Sequence, residues 1–186
     1  VADMTLNLIS AKAGCFMNDG KDASGMVTLS ELDVSVPLSS LSLIDTDDFK
    51  HILELRKYHS HKGTYGHCVV IGGDKGKVGA ALLAARSALK LGAGSVTVEL
   101  MAPNAPLYDP MQPELMITDE PVDFSNADAI VVGCGMGFSQ KAKDRLIAAV
   151  RSNVPLIIDA DALTMISEDQ SLEDEVLARK AHTVIT

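Results

Sequence analysis

Two glycine-rich segments are the parts of this 186-residue sequence whose residue types best suit ligand binding. The first runs from Gly72 to Gly79 and the second from Gly133 to Gly137. Glycine lets a backbone approach a ligand closely, and the N-terminus of a following helix favours anions. Neither segment completes the glycine pattern of P-loop NTPases or of dinucleotide-binding folds. Each is therefore either a ligand-binding loop or a plain turn into a helix.

Two aspartates, Asp159 and Asp161, follow the apolar segment Pro155–Ile158. Alternate residues of a strand share a face, so both carboxylates are expected to point toward one crevice. There they would hold Mg2+ through water or contact a substrate hydroxyl. The competing interpretation is that Asp161 caps a helix that begins at Ala162. Lys62 would meet a phosphate as a point charge, or lie in a solvated loop.

The cysteines and histidines predict no metal site. Cys15, Cys68 and Cys134 form no C-x-x-C pair, so a structural zinc site is not expected. The run His59-Ser60-His61 has no acidic or cysteine ligand near it in sequence.

From Gly66 onward, short apolar segments alternate with helical ones. This alternation predicts an α/β fold with a mainly parallel sheet, in which ligands bind at the carboxyl ends of the strands. Both glycine segments and the aspartates follow predicted strands. The predicted strands are residues 67–71, 95–100, 129–132, 155–158 and 183–186, and the predicted helices are 79–91, 139–151, 162–166 and 172–179.

The first 36 residues have a different pattern. Residues 5–9 and 26–29 are predicted as two strands joined by a glycine-rich loop, an isolated hairpin too small to be a domain. A linker rich in serine and aspartate follows from Pro37, and residues 49–58 suit a short helix.

The net charge of −9 argues against a binder of nucleic acid and against a polybasic membrane-surface protein. No apolar run reaches the roughly 18 residues of a membrane span, and no signal peptide is visible. We therefore expect a globular protein of the cytoplasm that binds neither nucleic acid nor membrane.

Six blocks of sequence, in one order, resemble the NAD(P)H-hydrate dehydratase family. The resemblance implies a ribokinase-like α/β fold with a three-layer, mainly parallel sheet that is incomplete at its C-terminal half. It implies repair of (6S)-NAD(P)H hydrate: ADP or ATP, with Mg2+, phosphorylates the hydrate hydroxyl, and elimination of phosphate restores NAD(P)H. The blocks are residues 60–66, 70–73 with 79–81, 88–94, 113–116, 132–137 and 159–163.

The resemblance also implies a domain organisation. Residues 1–36 are similar to the C-terminal tail of an NAD(P)H-hydrate epimerase domain, as in bifunctional repair enzymes. Residues 37–58 are then a linker with a short helix. Residues 59–186 are the N-terminal half of the dehydratase domain, with no catalytic residue, because the family's catalytic aspartate is expected beyond Thr186.

By the same resemblance, the hydrate site maps onto Ala80 and Gly135. We expect four further residues to support it: Gly79, Asp159, Asp161 and Lys62. The sequence departs from the family at Cys134, where proline is usual, and at Thr164, where asparagine is usual.

Two other functions fit the same residues. One is a ribokinase-like small-molecule kinase, such as a vitamin-precursor kinase, since the fold is shared. The other is a non-catalytic fragment, because the catalytic aspartate is not in the sequence. The expected partners are NAD(P)H hydrate, the nucleotide and further copies of the chain in a homo-oligomer.

Overall fold

A computed structural model describes residues 1–35, 41–52 and 57–186. The chain divides into two units, Val1–Arg56 and Lys57–Thr186. The predicted linker and the predicted helix at residues 49–58 lie partly outside the described residues. The described start of that helix belongs to a 3-10 helix, Thr46–Ile52.

The described residues of the first unit form two strands, β1 (Met4–Leu8) and β2 (Met26–Ser30), which pair in parallel. The predicted hairpin is therefore wrong. Parallel strands need a crossover connection, and a short helix, α1 (Asp19–Ala23), lies in it. Of the glycines that indicated a loop, Gly14 lies in a 3-10 helix, Gly20 lies within α1 and Gly25 follows α1.

The second unit is built on a six-stranded sheet in which every pair of neighbours is parallel. This confirms the expected α/β class. The strand β5 was not predicted. The strands are β3 (His67–Gly72), β4 (Ser95–Leu100), β5 (Met116–Thr118), β6 (Ala129–Val132), β7 (Leu156–Ile158) and β8 (Thr183–Ile185).

Helices cover both faces of this sheet and give three layers. Strand side chains alternate, so Val70 packs with the α2 side while Val69 and Ile71 pack with the α3 side. No helix among the described residues is long and apolar enough to cross a membrane. The helices are α2 (Val78–Leu91), α3 (Gln140–Arg151), α4 (Asp161–Ser167) and α5 (Gln170–Leu177).

The strand order places a topological switch point between β3 and β6. The order across the sheet is β5-β4-β3-β6-β7-β8, so the chain runs outward from β3 to β5 and then returns to the other side of β3. Connections that leave neighbouring strands in opposite directions open a crevice at the carboxyl ends of those strands. The strand order therefore predicts a ligand crevice where β3 and β6 end.

One buried ion pair fastens the connection between β4 and β5 to the outside of α2. The Asp109 carboxylate is buried and accepts two hydrogen bonds of 2.7 Å from Arg86 of α2. It also accepts the backbone N–H of Met111 at 3.0 Å. These bonds replace the water that the buried carboxylate has lost.

Candidate functional site

The two glycine segments lie against each other at the switch point. Loop 1 (Gly72–Gly79) follows β3, and loop 2 (Gly133–Gly137) follows β6. The N–H of Gly73 donates to the carbonyl oxygen of Cys134 at 3.0 Å, and the N–H of Asp74 donates to that of Gly135 at 2.7 Å. A Cβ atom at Gly72 would collide with the Cys134 carbonyl oxygen. The two backbones thus touch directly.

Gly135 packs on the first turn of α2 and meets Ala80 there. Its φ of +61° is a conformation that favours glycine. A Cβ atom at this position would lie 2.8 Å from the Cβ of Lys77 and 3.1 Å from the Cβ of Ala80. The structure therefore brings together the two residues onto which the sequence mapped the hydrate site.

Gly79 lies beside them, in the first turn of α2, and its backbone is open. A Cβ atom at Gly79 would have nothing within 4 Å, and the same holds for Gly76 in loop 1. Gly79 is exposed and is not held by packing against a neighbour. Its surface is open to solvent.

Asp161 joins the two loops. Its Oδ2 accepts the backbone N–H of Gly137 in loop 2 at 2.9 Å and the Nζ of Lys77 in loop 1 at 3.1 Å. The predicted capping role is wrong, because α4 begins at Asp161 itself and the cap position is Ala160, without a side-chain cap. Ala160 has a φ of +43°, which places Asp161 toward the crevice at a cost in backbone strain.

Asp159 uses its carboxylate elsewhere. Oδ1 accepts the hydroxyl of Thr186 at 2.9 Å, and Oδ2 accepts the thiol of Cys134 at 3.2 Å. Asp159 and Asp161 therefore contact different partners. In the described part of the chain no three His, Cys, Asp or Glu side chains form a group able to hold a metal ion. The described residues do not fit a magnesium site of their own.

The surroundings of the Cys134 thiol favour its protonated form over the nucleophilic thiolate. Burial, and then the hydrogen bond to the Asp159 carboxylate, raise the pKa of the thiol to about 11. The reactive form of cysteine is the thiolate. Cys134 therefore serves as a neutral hydrogen-bond donor at the base of loop 2.

Lys62 is not brought to the loops. It begins a 3-10 helix, Lys62–Tyr65, which precedes the amino end of β3. Its carbonyl oxygen occupies the position that a Cβ atom at Gly94 would take, just before β4 begins. The length of β3, about 20 Å for six residues, separates the amino end of this strand from the loops. Within one chain, this placement gives Lys62 no contact with the crevice.

Two residues that lie at the loops, Lys77 and Phe138, are not among the site residues predicted from the sequence. Lys77 lies at the mouth of the crevice with its side chain half exposed, and its Nζ is 6.0 Å from the centroid of the exposed Phe138 ring. The one local feature of the sequence that could have indicated Lys77 is its position directly before the helix α2. Its partner, Asp161, lies 84 residues later, too far away for any spacing rule.

A three-layer parallel sheet with glycine loops at its switch point defines a doubly wound α/β protein. Its likeness to a solved ribokinase-like structure places it in the ribokinase-like class. The family model described as NAD(P)H-hydrate dehydratase matches residues 68–186. The chain belongs to the NAD(P)H-hydrate dehydratase family.

Two curated relatives illustrate the match. The bifunctional NAD(P)H-hydrate repair enzyme of Coxiella burnetii is 31% identical over 185 residues, which cover 94% of this chain and 38% of that protein. The ADP-dependent (S)-NAD(P)H-hydrate dehydratase of Neisseria meningitidis is 36% identical over 142 residues, covering 74% of this chain and 47% of that protein. The chain spans less than half the length of both.

Two solved structures share the fold. A ribokinase-like superfamily protein of Enterococcus faecalis has a TM-score of 0.56 and 25% identity, covering 70% of this chain and 51% of that one. The ADP/ATP-dependent NAD(P)H-hydrate dehydratase of Bacillus subtilis, co-crystallised with ATP/Mg2+, has a TM-score of 0.51 and 28% identity, covering 61% of this chain and 44% of that one.

Proposed function

We propose that the protein to which these residues belong removes water from (6S)-NAD(P)H hydrate in a nucleotide-dependent reaction that restores NAD(P)H. The observation that carries the proposal is the contact of Gly135 with Ala80 at the switch point, in a chain of the dehydratase family. Crevices at such points are where ligands bind in open parallel sheets.

The chain's own residues have a binding role in this proposal. Ala80 and Gly135 form the floor of the hydrate site, and the open backbone at Gly79 admits the substrate from the side. Asp159 and Asp161 support the site from the end of β7 by holding loop 2. The floor is mostly backbone and methyl groups, which suits the apolar carbons of a reduced nicotinamide ring.

The proposed chemistry is a phosphoryl transfer followed by an elimination. The nucleotide transfers its terminal phosphoryl group to the hydrate hydroxyl, and loss of phosphate and a ring proton restores the double bond. The Neisseria meningitidis relative is named for ADP, and the Bacillus subtilis structure holds ATP/Mg2+. We propose ADP or ATP as the donor. Mg2+ would accompany the nucleotide phosphates, because the described residues offer no cluster of ligands for it.

We further propose that the domains divide as the sequence predicted: the tail of an epimerase domain at residues 1–36, a linker at 37–58 and the first half of the dehydratase domain at 59–186. The separate units Val1–Arg56 and Lys57–Thr186 support this division. So does the alignment of 94% of the chain with a bifunctional repair enzyme.

The test of the proposed function uses the full-length protein with purified NADH hydrate and either ADP or ATP. Recovery of dihydronicotinamide absorbance together with release of phosphate is the expected result. A stable phosphorylated product without regained absorbance would support the small-molecule kinase instead. The isolated 186 residues are the matched comparison, and we expect no turnover from them, because they span less than half the length of the curated relatives.

We also propose that the protein acts in the cytoplasm as a homo-oligomer. Several large apolar side chains in the second unit are exposed, among them Leu83 and Leu91 of α2 and Met111. Such side chains are common at contacts between subunits. Light scattering on the full-length protein tests the homo-oligomer, and a monomeric mass at micromolar concentration would contradict it.

A further inference from the structure

One carboxylate oxygen links three segments that leave three different strands. The Oδ2 atom of Asp161, at the end of β7, is 2.9 Å from the N–H of Gly137 in loop 2 and 3.1 Å from the Nζ of Lys77 in loop 1. The Asp161 side chain is 17% exposed and that of Lys77 is 51% exposed. The ion pair therefore spans the mouth of the crevice, and only its lysine end is well solvated.

The residues around this ion pair are tightly packed, so a small movement of either partner moves its neighbours. Gly137 has a φ of +69°, and a Cβ atom there would collide with the carboxylate of Asp74. Gly135, two residues earlier, lies against the Cβ and carbonyl oxygen of Lys77. A shift of Lys77 or of Gly137 therefore changes the spacing between Gly135 and Ala80.

We propose that Lys77 and Asp161 are positioning residues: their ion pair holds loop 2 against loop 1 and thereby sets the affinity of the crevice for its substrate. This inference rests on the proposed hydrate site. Neither side chain takes part in bond making. Asp161 acts through the backbone of Gly137, and Lys77 acts by neutralising and orienting the Asp161 carboxylate.

The two side chains are expected to contribute unequally. A half-exposed ion pair is worth little, so Lys77→Met is expected to raise KM for the hydrate about 2-fold to 5-fold with kcat within about twofold. Asp161→Ala also removes the acceptor of a charge-assisted hydrogen bond, so its KM is expected to rise about 10-fold or more. Asp161→Asn keeps a neutral acceptor and is expected to lie between them.

The experiment measures kcat and KM for NADH hydrate in the full-length protein, at saturating ADP or ATP. Lys77→Arg keeps the charge and is expected to restore a KM near that of the wild type. Lys90→Met, an exposed lysine in the last turn of α2, is the matched control. The KM of the double variant Lys77→Met/Asp161→Asn is expected to be no higher than the higher of the two single-variant KM values. A lower kcat at unchanged KM, or an unchanged KM in both Lys77→Met and Asp161→Ala, overturns the proposal.

A second measurement separates this proposal from the proposed function. Amide hydrogen exchange of the peptide that contains Gly137 is expected to accelerate in Lys77→Met relative to Lys90→Met, and further in Asp161→Ala. If the wild type repairs no hydrate, the proposed function fails while exchange still tests the ion pair. If exchange at Gly137 is unchanged in Lys77→Met, the ion pair does not hold loop 2 and the proposal is wrong. The exchange result for Lys77→Met decides the proposal even if Asp161→Ala does not fold.

Discussion

The backbone N–H of Gly73 donates a hydrogen bond to the carbonyl oxygen of Cys134, 3.0 Å away, so loop 1 and loop 2 are joined through main-chain atoms. Side chains at these two positions contribute nothing to that bond. The crevice is therefore built mainly by backbone, and substitutions act on it chiefly where an added Cβ atom changes the spacing of the loops.

Gly135→Val is expected to abolish hydrate binding. The new side chain would begin 2.8 Å from the Cβ of Lys77 and 3.1 Å from that of Ala80, in a backbone conformation that valine rarely adopts. Isothermal titration with NADH hydrate measures the effect.

A smaller substitution separates the collision from the backbone strain. Gly135→Ala is expected to weaken hydrate binding by about tenfold or more, a change of about 1.4 kcal/mol. Gly76→Ala has the same kind of positive φ but nothing within 4 Å of its Cβ atom. It controls for strain alone. Equal affinities for these two variants would contradict the assignment of Gly135 to the floor of the site.

Gly79→Ala is expected to stabilise the fold and weaken the site at once. Gly79 lies in the helix α2 with open space around its Cβ position, and alanine in a helix is favoured over glycine by about 0.5–1 kcal/mol. The added methyl group would enter the space through which the hydrate approaches. Thermal unfolding and KM are the measurements. A higher melting temperature with an unchanged KM would remove Gly79 from the site.

The Cys134 thiol is expected to resist labelling near pH 8, since its pKa is raised from 9.0 to about 11. The folded state holds this proton more tightly than the unfolded state does. The contribution to stability is therefore fully present below pH 9.0 and is lost as pH rises through about 11. Cys134→Ser is expected to keep repair activity within about threefold, because a hydroxyl also donates to Asp159. Loss of activity in that variant, with the fold intact, would require a chemical role for the thiol.

The ion pair of Asp109 with Arg86 predicts acid sensitivity. The hydrogen bonds from Arg86, and then those from the backbone N–H groups of Met111 and Gln112, lower the pKa of the Asp109 carboxyl below its usual 3.8. The unfolded state therefore takes up the proton first. The stability from this pair is fully present above pH 3.8 and is lost as pH falls through the lower folded-state pKa.

The matching variant is Arg86→Met. Its melting temperature is expected to fall at pH 7, because the buried carboxylate loses its partner. The difference from the wild type is expected to shrink as pH falls below 3.8. A difference that stays constant between pH 7 and pH 3 would show that packing of Arg86, and not the ion pair, carries the effect.

The sequence by itself determined the layers of the second unit. The segment at residues 95–100 alternates as a strand does, and the segment at 79–91 ends at a glycine as helices do, so both were located within one residue. These signals are local, because each is created by neighbours along the chain. The order of the six blocks likewise identifies the family, which the family model confirms.

Only the tertiary structure decided what the loops do together. The strand β5 exists because it pairs with β4, and β1 pairs in parallel with β2 because a helix fits between them. The contacts of Asp161 and the position of Lys62 were decided in the same way. Asp161 contacts a lysine 84 residues earlier in the chain. Lys62 lies near the amino end of β3, whereas the loops follow the carboxyl ends of the strands. Contacts of this kind depend on which strands become neighbours, and strand order is a property of the folded sheet that no local run of residues contains.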